Sequence, residues 1–237
     1  MKRISLVDDC IIFVQSLLYP PTCLLCDAPG VDGYDLCAGC LAELPWNRPA
    51  CRVCGAPLPE SGVCGPCLRK PPPFDVTFAP LRYQQPVDWL LQGFKFNRRL
   101  PPGRLCGELL ATALAERDEP LPQLLIPVPL HPSRMRRRGY NQALELARPV
   151  AQRLEIPLVP NLVRRIRATA TQSLLPGEER RRNVRGVFEL VRALPARHVA
   201  IIDDVIATGS TVGEMTRVLR RGGAERIEVW AVARAGS

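Results

Sequence analysis

The sequence predicts an α/β protein in which a parallel-sheet domain follows a small cysteine-rich module. Four C-x-x-C pairs lie within the first 75 residues, and beyond them short apolar segments alternate with amphipathic ones. Such alternation of strand and helix patterns is typical of a largely parallel, right-handed sheet. The proline-rich stretch 70–73 indicates a stiff linker between the two parts. We therefore expect two domains, at 1–75 and 76–237.

The composition is that of a globular, basic protein. The 237 residues are 46% hydrophobic and 23% charged, with a formal net charge of +9. The apolar stretches are broken well before the ~20 residues that a membrane span requires. Asp8 and Asp9 interrupt the first apolar stretch, which favours an amphipathic helix at 4–18 over a signal peptide. The charge balance favours polyanionic or phosphorylated partners.

Eight of the ten cysteines form the C-x-x-C pairs, which are separated by ten, ten and nine residues. Two such pairs complete a tetrahedral shell, so we expect two structural zinc ions. Sequential sharing is favoured, although the spacing also permits a cross-brace. A disulfide framework and a thioredoxin-type redox pair are weaker alternatives, because no signal peptide precedes the module and the motif recurs four times. The expected ligands are Cys23, Cys26, Cys37 and Cys40 for one ion, and Cys51, Cys54, Cys64 and Cys67 for the other.

At 199–211 an apolar strand pattern leads into two adjacent carboxylates and a turn of small residues. In open α/β sheets, ligands bind at the carboxyl end of such a strand. Neighbouring carboxylates repel, so they require sugar hydroxyls or a metal ion as partners. A glycine-containing turn that opens a helix can wrap a phosphate, although the same pattern also suits an ordinary strand-to-helix turn. The candidate ribose-phosphate residues are Asp203, Asp204, Ala207, Thr208, Gly209, Ser210 and Thr211.

Two basic segments, at 127–147 and 162–188, are the candidate contacts for a diphosphate or for DNA. Guanidinium groups suit both ligands, and the small polar stretch 168–173 indicates a mobile loop. The alternative is a solvated basic surface. The candidate residues are Arg134, Arg136, Arg137, Arg138, Tyr140, Asn141, Gln142, Gln172, Arg180 and Arg182.

The remaining periodicity predicts the other elements of the sheet domain. The expected strands are 76–83, 124–128, 187–191, 199–202 and 226–232. The expected helices are 86–96, 104–117, one starting near 141, 178–185 and 211–221.

Four motifs stand in order along the chain: paired C-x-x-C, P-V-P-L-H with R-G-Y-N-Q, T-Q-S-L followed by R-x-x-N-V, and D-D with A-T-G-S-T. The last resembles the phosphoribosyl diphosphate motif of type I phosphoribosyltransferases, and the whole chain resembles the ComF (ComFC or GntX-like) family. This resemblance implies a phosphoribosyltransferase-like fold in a cytoplasmic competence protein that handles imported single-stranded DNA. It also implies that Asp203 and Asp204 hold ribose hydroxyls, with magnesium, and that 207–211 hold the 5′-phosphate. The DNA-uptake machinery would be a partner.

Three functions fit these features. The first, which we favour, is DNA handling with a retained ribose-phosphate site. The second is an active phosphoribosyltransferase that transfers to a nucleobase or related acceptor. Its weakness is Ala207, because hypoxanthine-type enzymes carry an acidic residue there, although adenine-type enzymes do not. The third is a zinc-stapled regulatory domain that senses a nucleotide. The sequence supports ligand binding better than turnover.

Overall fold

The computed structural model describes residues 20–96, 99–168 and 184–236. The helix predicted at 4–18 and most of the predicted 168–173 loop and 178–185 helix lie outside these residues. The chain divides into two compact units, Met1–Leu44 and Pro45–Ser237. The division into domains at residue 75 stays a prediction. Among the described residues, no helix has the length and apolar character needed to cross a membrane.

Seven strands and seven helices are assigned in the described ranges. The strands are β1 (Val76–Phe78), β2 (Leu81–Arg82), β3 (Leu124–Pro127), β4 (Val163–Arg165), β5 (Phe188–Leu190), β6 (His198–Ile206) and β7 (Arg226–Arg234). The helices are α1 (Ala38–Ala42), α2 (Gly65–Arg69), α3 (Val87–Phe96), α4 (Leu100–Ala115), α5 (Pro132–Arg138), α6 (Gln142–Leu154) and α7 (Ser210–Arg221).

The described part of the first unit, 20–44, is organised around cysteines. Apart from Cys23, its buried hydrophobic residues are Leu36 and Leu44. Helix α1 begins after Cys37, whose sulfur accepts a hydrogen bond from the amide of Cys40 at 3.4 Å. Two leucines bury too little apolar surface to stabilise the described segment 20–44 by itself, which favours stabilisation by a bound metal.

The second unit contains the expected parallel sheet, with strand order β1-β7-β6-β3 and with β2 also paired to β7. The central strands β6 and β7 each contain a continuous apolar run, in which Ile201, Ile202, Val229 and Trp230 are fully buried. A strand covered on both faces reads as such a continuous apolar run. The predicted fold class is confirmed.

The structure corrects several element boundaries. The strand predicted at 76–83 is two strands, interrupted at Pro80, which has no amide for the ladder. Helix α4 begins at Leu100 rather than 104, because Pro101 and Pro102 occupy the first turn, where helical amides have no partner. Residues 132–138, predicted as a loop, form helix α5, which ends at Gly139 with φ of +88°.

The segment predicted as a strand at 187–191 does not join the parallel sheet. Its central part is β5, which pairs antiparallel with β4 in a separate two-stranded sheet. The sequence analysis assigned no strand to β4, because three residues are too few to establish an alternating pattern. This small sheet carries Arg165, which the next section places beside the acid pair.

The segment around the second cysteine cluster packs on the parallel sheet. The Asn47 amide group donates to the carbonyls of Gly55 and Ala79 at 2.9 and 3.0 Å. The Arg234 guanidinium donates from Nε to the Cys54 carbonyl at 2.9 Å and from Nη1 to the Ile206 carbonyl at 3.1 Å. The second cluster therefore belongs to the same compact unit as β6 and β7.

Candidate functional site

The acid pair lies where β6 loses one of its two neighbours. The ladder between β3 and β6 ends at the pairing of Pro127 with Ile202, whereas the ladder between β6 and β7 continues to Ile206. Asp203 and Asp204 therefore extend past the end of β3, at the carboxyl edge of the sheet. The carboxylate of Asp203 accepts a hydrogen bond from the Asp204 amide at 2.9 Å. This edge is the ligand position of open α/β sheets.

The turn after β6 has the geometry of an anion-binding loop. Gly209 adopts φ of +70° immediately before α7, a conformation that side chains disfavour. The hydroxyl oxygens of Thr208 and Ser210 are 2.8 Å apart. A small cavity of about 70 Å³ lies between Asp203 and residues 205–212. Hydroxyls and the opening amides of a twelve-residue helix thus surround a space beside the acid pair.

Lys95 forms an ion pair with the acid pair, and the sequence analysis did not identify it as a site residue. Its Nζ lies 3.0 Å from Asp204 Oδ2, and the two side chains are only 21% and 14% exposed. Burial alone would lower the pKa of Lys95, but the charges of Asp204 and Asp203 outweigh it and raise that pKa. Lys95 lies in the last turn of α3, between Phe94 and Phe96, whereas the acidic residue of that helix, Asp88, lies in its first turn. A cation between two phenylalanines was the available signal that the residue is not an ordinary surface lysine.

Asp203 is held close to its titration point at neutral pH. Burial, followed by repulsion from Asp204, raises its pKa from 3.8 to about 7. Cys106 of α4 is fully buried, and burial together with the charge of Asp204 raises the pKa of its thiol to about 12. Cys106 therefore stays a neutral thiol, whereas Asp203 exchanges a proton in the physiological range.

Helix α5 presents its four arginines in two directions. Arg136 and Arg137 are exposed, whereas Arg134 and Arg138 are partly buried. Burial lowers the pKa of Arg138, and the negative charge of Asp204 opposes that effect. Burial and the neighbouring Arg138 and Arg137 likewise lower the pKa of Arg134. One part of the predicted basic loop thus faces the acid pair, and the other part faces solvent.

Arg165 brings a further cation to this site from the small two-stranded sheet. Its side chain is 7% exposed, and its guanidinium carbon lies 5.4 Å from the Phe188 ring centroid. Burial and the charge of Arg134 lower the pKa of Arg165 to about 10, and Asp203 opposes them. The sequence analysis included this arginine only within the basic segment 162–188. Its position beside Asp203 depends on the pairing of β4 with β5, which the sequence did not indicate.

Tyr140, Asn141 and Gln142 lie in contacts that hold the loop after β3. The Tyr140 hydroxyl donates to the Phe94 carbonyl, and the two rings pack with centroids 5.3 Å apart. The Asn141 side chain accepts from the Ala143 amide and donates to the Val128 carbonyl, each at 3.1 Å. Gln142 is 2% exposed. The other predicted contacts, Gln172, Arg180 and Arg182, lie outside the described residues.

The eight paired cysteines form two clusters in the sequential grouping that their spacing favours. One contains Cys23, Cys26, Cys37 and Cys40, the other Cys51, Cys54, Cys64 and Cys67, and within each cluster the sulfurs lie within 4.8 Å of one another.

The sulfur spacing of both clusters fits zinc. A tetrahedral shell with bonds of about 2.3 Å places its sulfurs about 3.8 Å apart. The Cys26 sulfur lies 3.6 Å from those of Cys37 and Cys40, and the Cys54 and Cys64 sulfurs are also 3.6 Å apart. Each cluster supplies four thiolates and so leaves no open coordination position. Zinc in these sites would be structural.

Two family matches agree with this arrangement. Residues 14–68 match the double zinc ribbon domain, and residues 141–237 match the phosphoribosyl transferase domain. Fold and site therefore define a protein with a double zinc ribbon and a phosphoribosyltransferase-like domain. Lys95 precedes the second matched range, so the site includes a segment outside it.

The relatives identify the family. Competence protein F of Haemophilus influenzae is 38% identical over 208 residues, which cover 84% of this chain and 90% of that protein. DNA utilization protein YhgH of Escherichia coli K12 is 35% identical over 224 residues, which cover 92% of this chain and 99% of that protein. The chain belongs to the family of competence protein F and YhgH.

Solved structures show a more distant likeness. A purine phosphoribosyltransferase from Pyrococcus horikoshii Ot3 is 18% identical with a TM-score of 0.33, and the alignment covers 56% of this chain and 81% of that one. A likeness at this level carries no functional argument.

Proposed function

We propose that this protein handles imported single-stranded DNA in the cytoplasm during natural competence and retains a binding site for phosphoribosyl diphosphate. The relatives named for competence and for DNA utilization support the biological role. The observation that carries the ligand assignment is the meeting of Asp203, Asp204 and Lys95 beside the Thr208–Ser210 turn. A magnesium ion would accompany the ligand's diphosphate.

In this proposal, three sets of groups bind different parts of the ligand. The carboxylates of Asp203 and Asp204 accept hydrogen bonds from ribose hydroxyls, and the turn at 207–211 holds the 5′-phosphate. Arg134, Arg138 and Arg165 then meet the negative charge of the diphosphate. Arginines held by burial in one orientation suit this role, because less conformational freedom is lost on binding.

Calorimetry with phosphoribosyl diphosphate, with and without magnesium, tests the ligand. The wild type is expected to bind, and the double variant Asp203→Asn and Asp204→Asn is expected to lose binding. Asp118→Asn, which alters an exposed carboxylate in the α4–β3 connection, serves as the control and is expected to bind like the wild type. A wild type that ignores the ligand in both conditions would contradict the proposal.

The DNA role assigns the exposed arginines of α5 to the phosphate backbone. Arg136 and Arg137 can follow a single strand without reading its sequence. Each phosphate contact contributes about 0.7 to the slope of log K against log salt. Arg136→Glu with Arg137→Glu should therefore weaken oligonucleotide binding and flatten that slope by about 1.4, measured by fluorescence anisotropy.

The matched control for this charge reversal uses two exposed arginines elsewhere. Arg153 and Arg192 form no ion pair among the described residues. Arg153→Glu with Arg192→Glu changes the net charge equally and should leave the slope unchanged, as should Asp203→Asn. If Asp203→Asn removes DNA binding and the α5 variant does not, the strand enters the ribose-phosphate site and the α5 assignment is wrong.

A second function, phosphoribosyl transfer itself, is favoured by the pKa of about 7 at Asp203. A carboxyl that titrates near neutrality can exchange a proton with an attacking nucleophile. Release of diphosphate in the presence of a nucleobase, lost in Asp203→Asn, would support transfer. If the protein binds phosphoribosyl diphosphate but releases no diphosphate with any of a panel of nucleobases, the transfer function is wrong and only ligand binding remains.

A further inference from the structure

A second cavity, much larger than the first, adjoins the turn at 207–211, called the phosphate loop below for the role proposed above. Its volume is about 820 Å³, within the range of about 300 to 1,000 Å³ that holds small organic ligands. It lies among the second cysteine cluster, the proline linker, helix α7 and the end of β7. Thr208, Gly209 and Ser210 line both this cavity and the smaller one beside Asp203.

The lining of this cavity is strongly basic. It contains five cations, Lys70, Arg185, Arg217, Arg221 and Arg234, and one carboxylate, Glu214. Glu214 is 6% exposed and already accepts hydrogen bonds from the Gly186 amide at 2.7 Å and from Arg217 at 2.9 Å.

Three of these cations form no ion pair with a carboxylate within the described ranges. Arg217 pairs with Glu214, and the Arg234 guanidinium is bound to the Cys54, Ile206 and Ala235 carbonyls. Lys70, Arg185 and Arg221 are exposed and form no ion pair within the described part of unit 2. Five cations face one carboxylate and one metal cluster, and the lining keeps an excess of positive charge even if that cluster carries two negative charges. The cavity therefore favours an anionic ligand.

The apolar part of the lining suits a nucleic-acid strand, which has apolar sugar and base surface, better than it suits a compact inorganic anion. Pro71, Pro72 and Pro73 form a stiff wall next to Phe74. This wall lies close to the phosphate loop, since a methyl group built on Gly209 would be 3.5 Å from the Phe74 ring. Apolar surface beside cations is the combination that binds bases and phosphates together.

We infer that this cavity is a binding site for the backbone of single-stranded DNA, with phosphates at Lys70, Arg185 and Arg221 and sugar or base surface against the proline wall. The inference rests on the proposed DNA role and locates a second contact surface, separate from α5. The strand would pass beside the phosphate loop without occupying the ribose-phosphate site.

Charge reversal at two cavity residues tests this site in the full zinc-loaded chain. Lys70→Glu with Arg221→Glu should reduce affinity for an oligo-dT probe at least tenfold near 0.1 M salt. The salt slope should also fall by about 1.4, for two lost contacts. The control Arg153→Glu with Arg192→Glu should change neither quantity, and the charge-conserving pair Lys70→Arg with Arg221→Lys should keep both near wild type. Unchanged zinc content and an unchanged melting temperature together show that the variants are folded.

The outcomes separate this site from the DNA role as a whole. If the wild type does not bind the oligonucleotide, both the role and the site are wrong. If the α5 variant loses binding while the cavity variant matches its control, the role stands and the cavity site is wrong. Inorganic diphosphate is the competitor. If it displaces the probe as well as unlabelled oligonucleotide does at equal phosphate concentration, the cavity is a small-anion site and the DNA assignment is overturned.

Discussion

Replacing Asp203 by Asn is expected to stabilise the folded protein at pH 8, although it removes a carboxylate of the proposed ligand site. The pKa of Asp203 is raised by burial and by Asp204, which means that the fold opposes the charged form. An asparagine keeps the side-chain oxygen that accepts the Asp204 amide at 2.9 Å. The substitution therefore removes the unfavourable charge and retains the hydrogen bond.

The size of the effect follows from the pKa. A rise in the pKa of Asp203 from 3.8 to about 7 corresponds to a loss of about 4 kcal/mol of folding free energy when the group is charged, at 1.36 kcal/mol per pKa unit. Asp203 keeps partial contact with water, which screens the charge. We therefore expect about half of this ceiling, about 2 kcal/mol, at pH 8. For a protein of this length that raises the melting temperature by roughly 4 to 8 °C.

The direction with pH follows from proton binding. Between pH 4 and pH 7 the unfolded chain has released the proton of Asp203, whereas the folded protein still holds it. The favourable contribution of the proton is therefore complete below pH 4 and is lost as the pH rises through 7. The advantage of Asp203→Asn should grow across this window and become constant above pH 8.

Differential scanning calorimetry of the zinc-loaded protein at pH 5 and pH 8 measures this difference. Asp204→Asn is the matched comparison, because it removes the same formal charge but leaves Lys95 without its partner at 3.0 Å. It should instead destabilise the protein, because a largely buried lysine loses its ion-pair partner. Equal melting temperatures for Asp203→Asn and the wild type at pH 8, or an advantage that does not change from pH 5, would refute the reasoning.

Two further predictions concern the metal and the lysine. Metal analysis of protein purified under reducing conditions should give two zinc ions per chain, and one ion or none would contradict the two Cys₄ clusters. Chelation should also raise hydrogen exchange in β1, because the Thr77 amide donates to the Arg52 carbonyl beside the second cluster at 2.9 Å. Lys95→Met should weaken phosphoribosyl diphosphate binding about tenfold at pH 7, and an unchanged calorimetric affinity would show that the ion pair with Asp204 does not support the ligand site.

Features that depend on neighbouring residues could be predicted from the sequence. A C-x-x-C pair brings its own two sulfurs together, and the acid pair is followed directly by the small-residue turn at 207–211, so local spacing specifies both arrangements. The apolar runs of β6 and β7 likewise identify the buried centre of the sheet. These features needed no knowledge of distant contacts.

Features that depend on distant contacts could not be predicted. Lys95 reaches Asp204 across more than a hundred residues, and nothing around 95 indicates an acidic partner. Arg165 stands beside Asp203 because β4 pairs with β5, and a three-residue strand has no readable period. The division of the α5 arginines into inner and outer pairs arises from a helix where the sequence indicated a loop.

The guanidinium group of Arg234 links the second cysteine cluster to the end of β6 through two hydrogen bonds. One planar group holds the carbonyl of Cys54, a metal-cluster residue, and the carbonyl of Ile206, the last residue of β6. Because the guanidinium group is planar and its donors have fixed directions, it cannot keep both hydrogen bonds if the two carbonyls move apart. Loss of the metal from this cluster is therefore expected to shift the Ile206 carbonyl and the turn that follows it.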